Sequence, residues 1–414
     1  MREQAFQGWW ILAVTCLVVL LSNGLTLGGI TVFDRSLLEA LQIGRGALKF
    51  RDLVQMLTAA AAAPFLGYLA DRFGVRPLIL LGLVLLSIGF LGYSRVESIS
   101  DIYLLHVLLG LGLSSTGLVL CVSVVSRWFN ARRGLALGLV LAGASVGNGL
   151  LPLFNAALNA QIGWRNAFIV LGCLPLTLIP AVLWLVRESP ASIGQKPYGE
   201  LQNALSSASL AAPTTITYTQ ALSTRNFKLL GLIAFCSFLS LVGVTAHLFL
   251  FLKDQAFTDA RAATGLTLLY ALGLVGKLLA GVMADRWGLK SAFLLYLIAM
   301  TVGALLLSVA SDSLPWLAIA VLGLGWGGTY TLQQLCAAEL FSGAALGRIV
   351  GTLVLIDSFG AALGPWGMGY AYDRFGSYQY AFNALLALLT ISVVAAMFLK
   401  LPNSSLARRN LAPT

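Results

Sequence analysis

Gly67-Tyr68-Leu69-Ala70-Asp71-Arg72-Phe73-Gly74 and Gly281-Val282-Met283-Ala284-Asp285-Arg286-Trp287-Gly288 follow one pattern, 214 residues apart. The register extends outward from this pair. Gly110-Leu111-Gly112 recurs as Gly323-Leu324-Gly325, and Pro152 as Pro365, each 213 residues on. Gly163 and Phe168 of the GWRNAF stretch recur as Gly376 and Phe382 of GSYQYAF. Four landmarks in one register mean that the second half of the chain duplicates the first.

What is duplicated follows from composition. The 414 residues are 58% hydrophobic and only 10% charged, with a mean hydropathy of +0.88. A soluble domain carries about 25% charged residues, so most of this surface cannot face water. Apolar runs long enough to cross a bilayer, about 20 residues each, recur along the chain. The pattern predicts twelve helices at roughly 8–33, 46–70, 75–95, 100–127, 133–159, 165–187, 226–252, 262–285, 289–309, 314–340, 345–371 and 378–400. The fold class is therefore an all-α membrane protein with two pseudo-symmetric six-helix bundles. A Ser-, Ala-, Thr- and Pro-rich stretch with linker composition separates them. The division is 1–187, a cytoplasmic linker at 188–225, 226–400, and a cytoplasmic tail at 401–414.

The net charge of +10 does not indicate nucleic acid, because the basic residues form short clusters between apolar runs. With the N-terminus inside, sixteen of the 26 Lys and Arg lie in cytoplasmic segments and nine in outer ones, leaving Lys277 within a span. That bias places both termini in the cytoplasm of a cell membrane (inner or plasma) protein. The first apolar run, Gly8 to Phe33, is too long for a cleavable signal and reads as a span. Cys16, Cys121, Cys173, Cys236 and Cys336 sit inside apolar runs without metal-ligand spacing.

The doubled loop, Gly67 to Arg76 with its echo Gly281 to Lys290, resembles the signature of the major facilitator superfamily. A narrower resemblance is carried by Arg127-Trp128-Phe129-Asn130-Ala131-Arg132-Arg133-Gly134-Leu135-Ala136-Leu137-Gly138, followed by Ala142-Gly143-Ala144-Ser145-Val146-Gly147. This stretch is similar to the fifth-helix signature of the monocarboxylate transporter and oxalate:formate antiporter branch. The resemblance implies a parallel repeat about an axis along the membrane normal, with substrate held between the halves at mid-membrane. It also implies that Asp71, Arg72, Arg76, Asp285, Arg286, Lys290, Arg132 and Arg133 latch a cytoplasmic gate. Gly134/Gly138, Gly143/Gly147, Gly360 and Gly364 read as close-packing positions.

Lys277 and Asp357 are the charges that fall clearly within predicted span interiors. A charge there costs about 2.5–3.5 kcal/mol on insertion scales and is expected to face a cavity or a partner. At 1.5 Å per residue, Lys277 lies about 5 Å and Asp357 about 3 Å inward of their helix midpoints. In the resembling families helix eight carries a carboxylate-binding cation at the place of Lys277, within the frame Gly276-Lys277, Gly281, Asp285-Arg286. The oxalate exchangers add a second cation near Asp357, which here is an acid. The departure argues against a dicarboxylate and suggests proton coupling, in which protonation of Asp357 frees Lys277 to bind a monocarboxylate. A permanent Lys277–Asp357 pair and a zwitterion site are the alternatives. Further cavity candidates are Tyr270, on the face of Lys277, with Tyr330, Gln333, Asn23 and Asn148; a helix–helix hydrogen bond is the other reading for each. His247 reads as interfacial, His106 as packing, and Arg51 with Asp52 as a local outer-surface feature.

No Walker A loop, nucleophile elbow or HExxH motif is present, so the chain is not expected to be an enzyme or to use a cofactor or metal. The expected partners are a small organic anion, a proton and the lipid bilayer, with the protein monomeric. An exporter of hydrophobic compounds and a non-transporting membrane sensor are the rival functions.

Overall fold

The computed structural model describes residues 6–199, 217–309, 314–341 and 345–401. Residues 200–216 of the predicted linker and nearly all of the predicted tail, with Arg408 and Arg409, lie outside the described residues, as does Arg2. No strand occurs among the described residues; a single bridge joins Phe129 to Tyr198. Helices are what a bilayer demands, since each backbone polar group must be satisfied within its own segment.

The long helices follow the twelve apolar runs. They are α1 Gly8–Leu41, α2 Arg45–Phe73, α3 Val75–Tyr93 and α4 Ile99–Trp128, then a run Arg133–Leu185 that reverses at Gly163 into α5 (133–162) and α6 (164–185). In the second half come α7 Arg225–Asp254, α8 Asp259–Trp287, α9 Leu289–Ser308, α10 Leu314–Leu340, α11 Leu346–Phe375 and α12 Gln379–Met397. By length and composition ten described runs can cross a membrane: all of these but α10, with α5 and α6 taken as one. Large apolar side chains such as Leu104, Val119, Trp184 and Leu278 point outward, as they must where the solvent is hydrocarbon.

The chain divides into two compact units. One comprises Met1–Ala211 with Leu252–Thr267, the other Ala212–Phe251 with Leu268–Thr414. The sequence repeat is also a repeat of geometry. Gly74 and Gly288 turn at φ +86° and +87°, and Gly163 and Gly376 at +74° and +69°. These left-handed values are nearly free only for glycine, which is why the doubled landmarks are glycines. The second basic residue of each signature has the same local role. Arg76 donates to the Leu183 carbonyl near the end of α6. Lys290 donates to Met397 and Leu399 carbonyls at 2.6 and 2.8 Å, at the end of α12. Each cation thus satisfies the open carbonyl end of the last helix of its own unit.

Several expectations require correction. α1 does not stop at Phe33. It passes through a π-turn, Gly24–Gly28, and a 3-10 turn, Gly29–Phe33, then resumes as Asp34–Leu41. Arg51 is fully buried rather than an outer-surface residue, as are Lys49 and Asp34, so buried charge within the helices is not confined to Lys277 and Asp357. His247 is packed inside its unit, 1% exposed, 2.8 Å from the Tyr378 hydroxyl and 2.8 Å from the Pro365 carbonyl. Gly143 and Gly147 do seat α5 on Cys16 and Leu20 of α1, and Gly360 and Gly364 seat α11 on Phe235 and Leu239 of α7. At Gly134 and Gly138 a Cβ would meet nothing within 4 Å, so they are not close-packing sites.

These contacts separate two glycines on one helix. Gly147→Ala is expected to cost about 1–3 kcal/mol through overpacking, read as a lower Tm of the detergent-purified protein. Gly138→Ala is expected to leave Tm unchanged; equal effects would contradict the packing assigned to α1 and α5.

Candidate binding site in the second unit

α8 and α10 approach closely because a Cβ at Gly327 would run into the Gly273 carbonyl. The close approach lays Trp326 of α10 against α8. Its ring stands 5.5 Å from that of Tyr270, edge to face at 86°, and the Lys277 ammonium lies 4.8 Å from its centroid. Tyr270 and Lys277 are seven residues apart and share a helix face. A cation over an indole gains about 0.5–2 kcal/mol, which partly answers the desolvation of the half-buried Lys277.

Asp357 of α11 is 3% exposed. Its partner is an amide rather than an ammonium. Gln333 Nε2 donates to Asp357 Oδ1 at 3.0 Å and lies 3.1 Å from Oδ2. The permanent Lys277–Asp357 pair considered from sequence is therefore not the contact that holds this acid. Two groups here stay buried without a hydrogen-bond partner among the described residues: the Gln333 carbonyl oxygen Oε1 and the Trp326 Nε1–H. Tyr330 packs edge-on against Phe238 at 5.6 Å.

Trp326, Tyr330 and Gln333 are spaced i, i+4 and i+7, so they lie on one face of α10. Tyr330 and Gln333 are cavity candidates from sequence; Trp326 is not. That helical spacing was the available signal. The arrangement gathers a cation, a carboxylate, an unused donor and an unused acceptor on three neighbouring helices. Such a set suits a small polar anion better than a metal. The described residues contain no group of three or more His, Cys, Asp and Glu able to hold one.

Asn23 and Asn148 belong to the first unit and are tied into its helices. Asn23 donates to Val19 of its own helix at 3.1 Å. Asn148 accepts from the Gly28 amide at 2.9 Å and donates to Ala144 at 3.0 Å, so it bridges α5 to the irregular part of α1. The gate candidates Asp71, Arg72, Asp285, Arg286, Arg132 and Arg133 are exposed. Arg132 holds a left-handed φ of +56° at the start of α5.

The family model for the Major Facilitator Superfamily matches residues 12–345 and 260–413. Monocarboxylate transporter 2 of Mesocricetus auratus is 23% identical over 394 residues, covering 91% of this chain and 80% of that protein. Monocarboxylate transporter 11 of Mus musculus is 28% identical over 412 residues, covering 91% and 84%. A Bacillus subtilis (strain 168) protein, described as the uncharacterized MFS-type transporter YcxA, is 24% identical and covers 95% of both chains. Among solved structures, a bacterial homolog of the human lysosomal transporter Spinster, in an inward-facing and occupied conformation, matches with a TM-score of 0.75. It is 17% identical and covers 100% of both chains, a likeness of fold.

The Gln333–Asp357 contact has a stability signature. Gln333→Leu leaves a buried carboxylate without its donor and is expected to cost about 1–3 kcal/mol, seen as a lower Tm. The double variant Gln333→Leu/Asp357→Leu is expected to recover most of that loss. A single variant as stable as the parent would contradict the pairing.

Proposed function

The chain belongs to the major facilitator superfamily and is a multi-pass membrane transporter, not an enzyme; from that premise we propose that it carries a small organic monocarboxylate together with a proton. The observation that carries this reading is the Lys277 ammonium within α8, beside the unpartnered indole N–H of Trp326. A carboxylate reaching Lys277 would take a charge-assisted bond from the ammonium. It could take a second bond from the indole. The monocarboxylate transporters among its relatives support this class of cargo.

Proton coupling follows from charge balance. The empty site holds one cation and one anion, Lys277 and Asp357. Admitting a monocarboxylate adds a second negative charge in a region where unbalanced charge is costly. A proton on Asp357 cancels it, so the site is neutral both empty and loaded. Gln333 is suited to both forms. It donates Nε2–H to the carboxylate, and its unpartnered Oε1 can accept the O–H of the protonated acid. Two neutral forms are the ones a rocking pair of bundles can carry through the bilayer at least cost. On this reading the site alternates between the two membrane faces, with both termini in the cytoplasm, in the cell membrane, and one chain suffices.

The test is uptake of labelled lactate and pyruvate by proteoliposomes under an imposed proton gradient. Lys277→Gln is expected to reduce uptake at least ~tenfold, in line with loss of a charged hydrogen bond of about 1.5–3 kcal/mol. Lys277→Arg is expected to retain part of it. Asp357→Asn is expected to keep exchange of external for internal carboxylate, in which the site crosses loaded and neutral both ways, but to lose pH-driven accumulation, because its empty site would carry the uncancelled charge of Lys277. Full accumulation by Asp357→Asn would remove the proton role from that acid. Efflux of lipophilic dyes with no carboxylate uptake would overturn the cargo.

A further inference from the structure

The first unit contains a second polar centre, independent of Lys277 and Asp357. Asp34 opens the outer piece of α1, and its side chain is completely buried. Two cations from the first turns of α2 meet it. Lys49 Nζ is 2.5 Å from Asp34 Oδ2, and Arg51 Nη2 donates to Asp34 Oδ1. Both cations are also fully buried. A second acid, Asp52, lies 3.6 Å from Lys49 Nζ and 3.4 Å from Arg51 Nε. On its other side is His106 of α4, with Nε2 4.0 Å from Asp52 Oδ1. His106 Nδ1 is 2.9 Å from the Tyr93 hydroxyl at the end of α3 and 3.1 Å from the Ile102 carbonyl. Four helices therefore meet at one knot of two acids, two permanent cations and an imidazole. With the imidazole neutral, the formal charges cancel.

Charge is satisfied there, but hydrogen bonding is not. Among the described residues, Arg51 Nη1, His106 Nε2 and both amide atoms of Gln55 are buried without a partner. Gln55 follows Arg51 by one helical turn, on the same face of α2. α4 packs closely on α2 here: a Cβ at Gly110, one turn beyond His106, would come within 2.6 Å of the backbone carbonyl oxygen of Gln55. Buried polar groups are paired in almost every folded protein, by protein or by ordered water. A buried water typically joins about three otherwise unsatisfied groups. His106 Nε2 and Asp52 Oδ1, 4.0 Å apart, are too far for a direct bond, and a water about 2.8 Å from each would lie beside the line joining them, toward the other unpaired groups.

We propose that Arg51, Gln55, His106 and Asp52 enclose a bound-water site, and that this hydrated, charge-balanced knot anchors the outer piece of α1 to α2, α3 and α4. The anchor matters because α1 loses regular helical geometry between Gly24 and Phe33. Beyond that break the position of the outer piece is set by Asp34. The piece moves with α2–α4 as one body, while flexing is left to the glycine-rich turns.

Two measurements on the full-length protein test this. The first is Tm of Gln55→Leu. A dry site with an orphaned amide would gain or keep stability on losing it, because removing an unsatisfied buried polar group is neutral or favourable. A water site is expected to lose stability, with Tm falling by roughly 3 °C or more. The second is radiolytic hydroxyl labelling in ¹⁸O water, which oxidises side chains beside bound water even when they are closed to bulk solvent. His106 or Tyr93 is expected to acquire ¹⁸O in the parent and less of it in Gln55→Leu. No labelling at either residue in the parent, or a Gln55→Leu variant as stable as the parent, overturns the water site. For the balance of charge, Asp34→Asn is expected to lower Tm sharply or prevent folding, and the neutral double variant Asp34→Asn/Lys49→Met to recover much of the loss. A double variant no better than the single would overturn the anchor.

Discussion

Moving a charged side chain to the middle of a bilayer costs about 2.5–3.5 kcal/mol on insertion scales, and more where nothing answers it. With so few charged residues in the chain, each one kept inside the helices needs a local partner. Three different answers are in use. Asp357 is met by the Gln333 amide. Lys277 stands over the Trp326 ring. Asp34 is held between Lys49 and Arg51. An opposite full charge makes a stiff, permanent contact. An amide and an aromatic face are weaker partners, as the proposed exchange for a cargo or a proton requires. The contrast fits the proposed roles, holding at the first unit's knot and exchange at the second unit's site.

The two units share a scaffold and differ in what is built on it. Paired glycines at positive φ turn the chain at equivalent places, and Arg76 and Lys290 cap equivalent helix ends. The ends of the first helices are tied differently. In the first unit α1 is held by ion pairs through Asp34. In the second, α7 is held through His247, which reaches the Pro365 carbonyl of α11 and the Tyr378 hydroxyl just before α12. Duplication preserved the backbone devices, which depend on φ and on helix ends, while the side chains filling the polar positions diverged.

That distinction also decides what was legible from sequence. The twelve apolar runs, the doubled landmarks and the reversal at Gly163 could be read because they rest on hydropathy and on a conformation only glycine adopts cheaply. The placement of Lys277 and Asp357 within long helices was legible because a charge interrupts an apolar run there. The Asp34–Lys49–Arg51 knot was not legible. Its residues sit near the predicted ends of the first two spans, where charge ordinarily marks a loop. Only the continuation of α1 through its π and 3-10 turns brings them inside. Trp326 was missed because an aromatic residue in an apolar run is usually packing. Its spacing with Tyr330 and Gln333 acquired meaning once α8 was seen against that face. Gly134 and Gly138 had the right spacing for close packing but no helix opposite them, and spacing alone does not reveal a partner.

The proposed transport rests on recognition of a carboxylate by the Lys277 ammonium of α8. Equilibrium binding tests that without reference to proton movement or membrane orientation. Isothermal titration of the detergent-purified protein with lactate and with pyruvate is expected to show saturable binding that disappears in Lys277→Met at unchanged fold. Binding of equal affinity to the parent and to Lys277→Met would contradict the account.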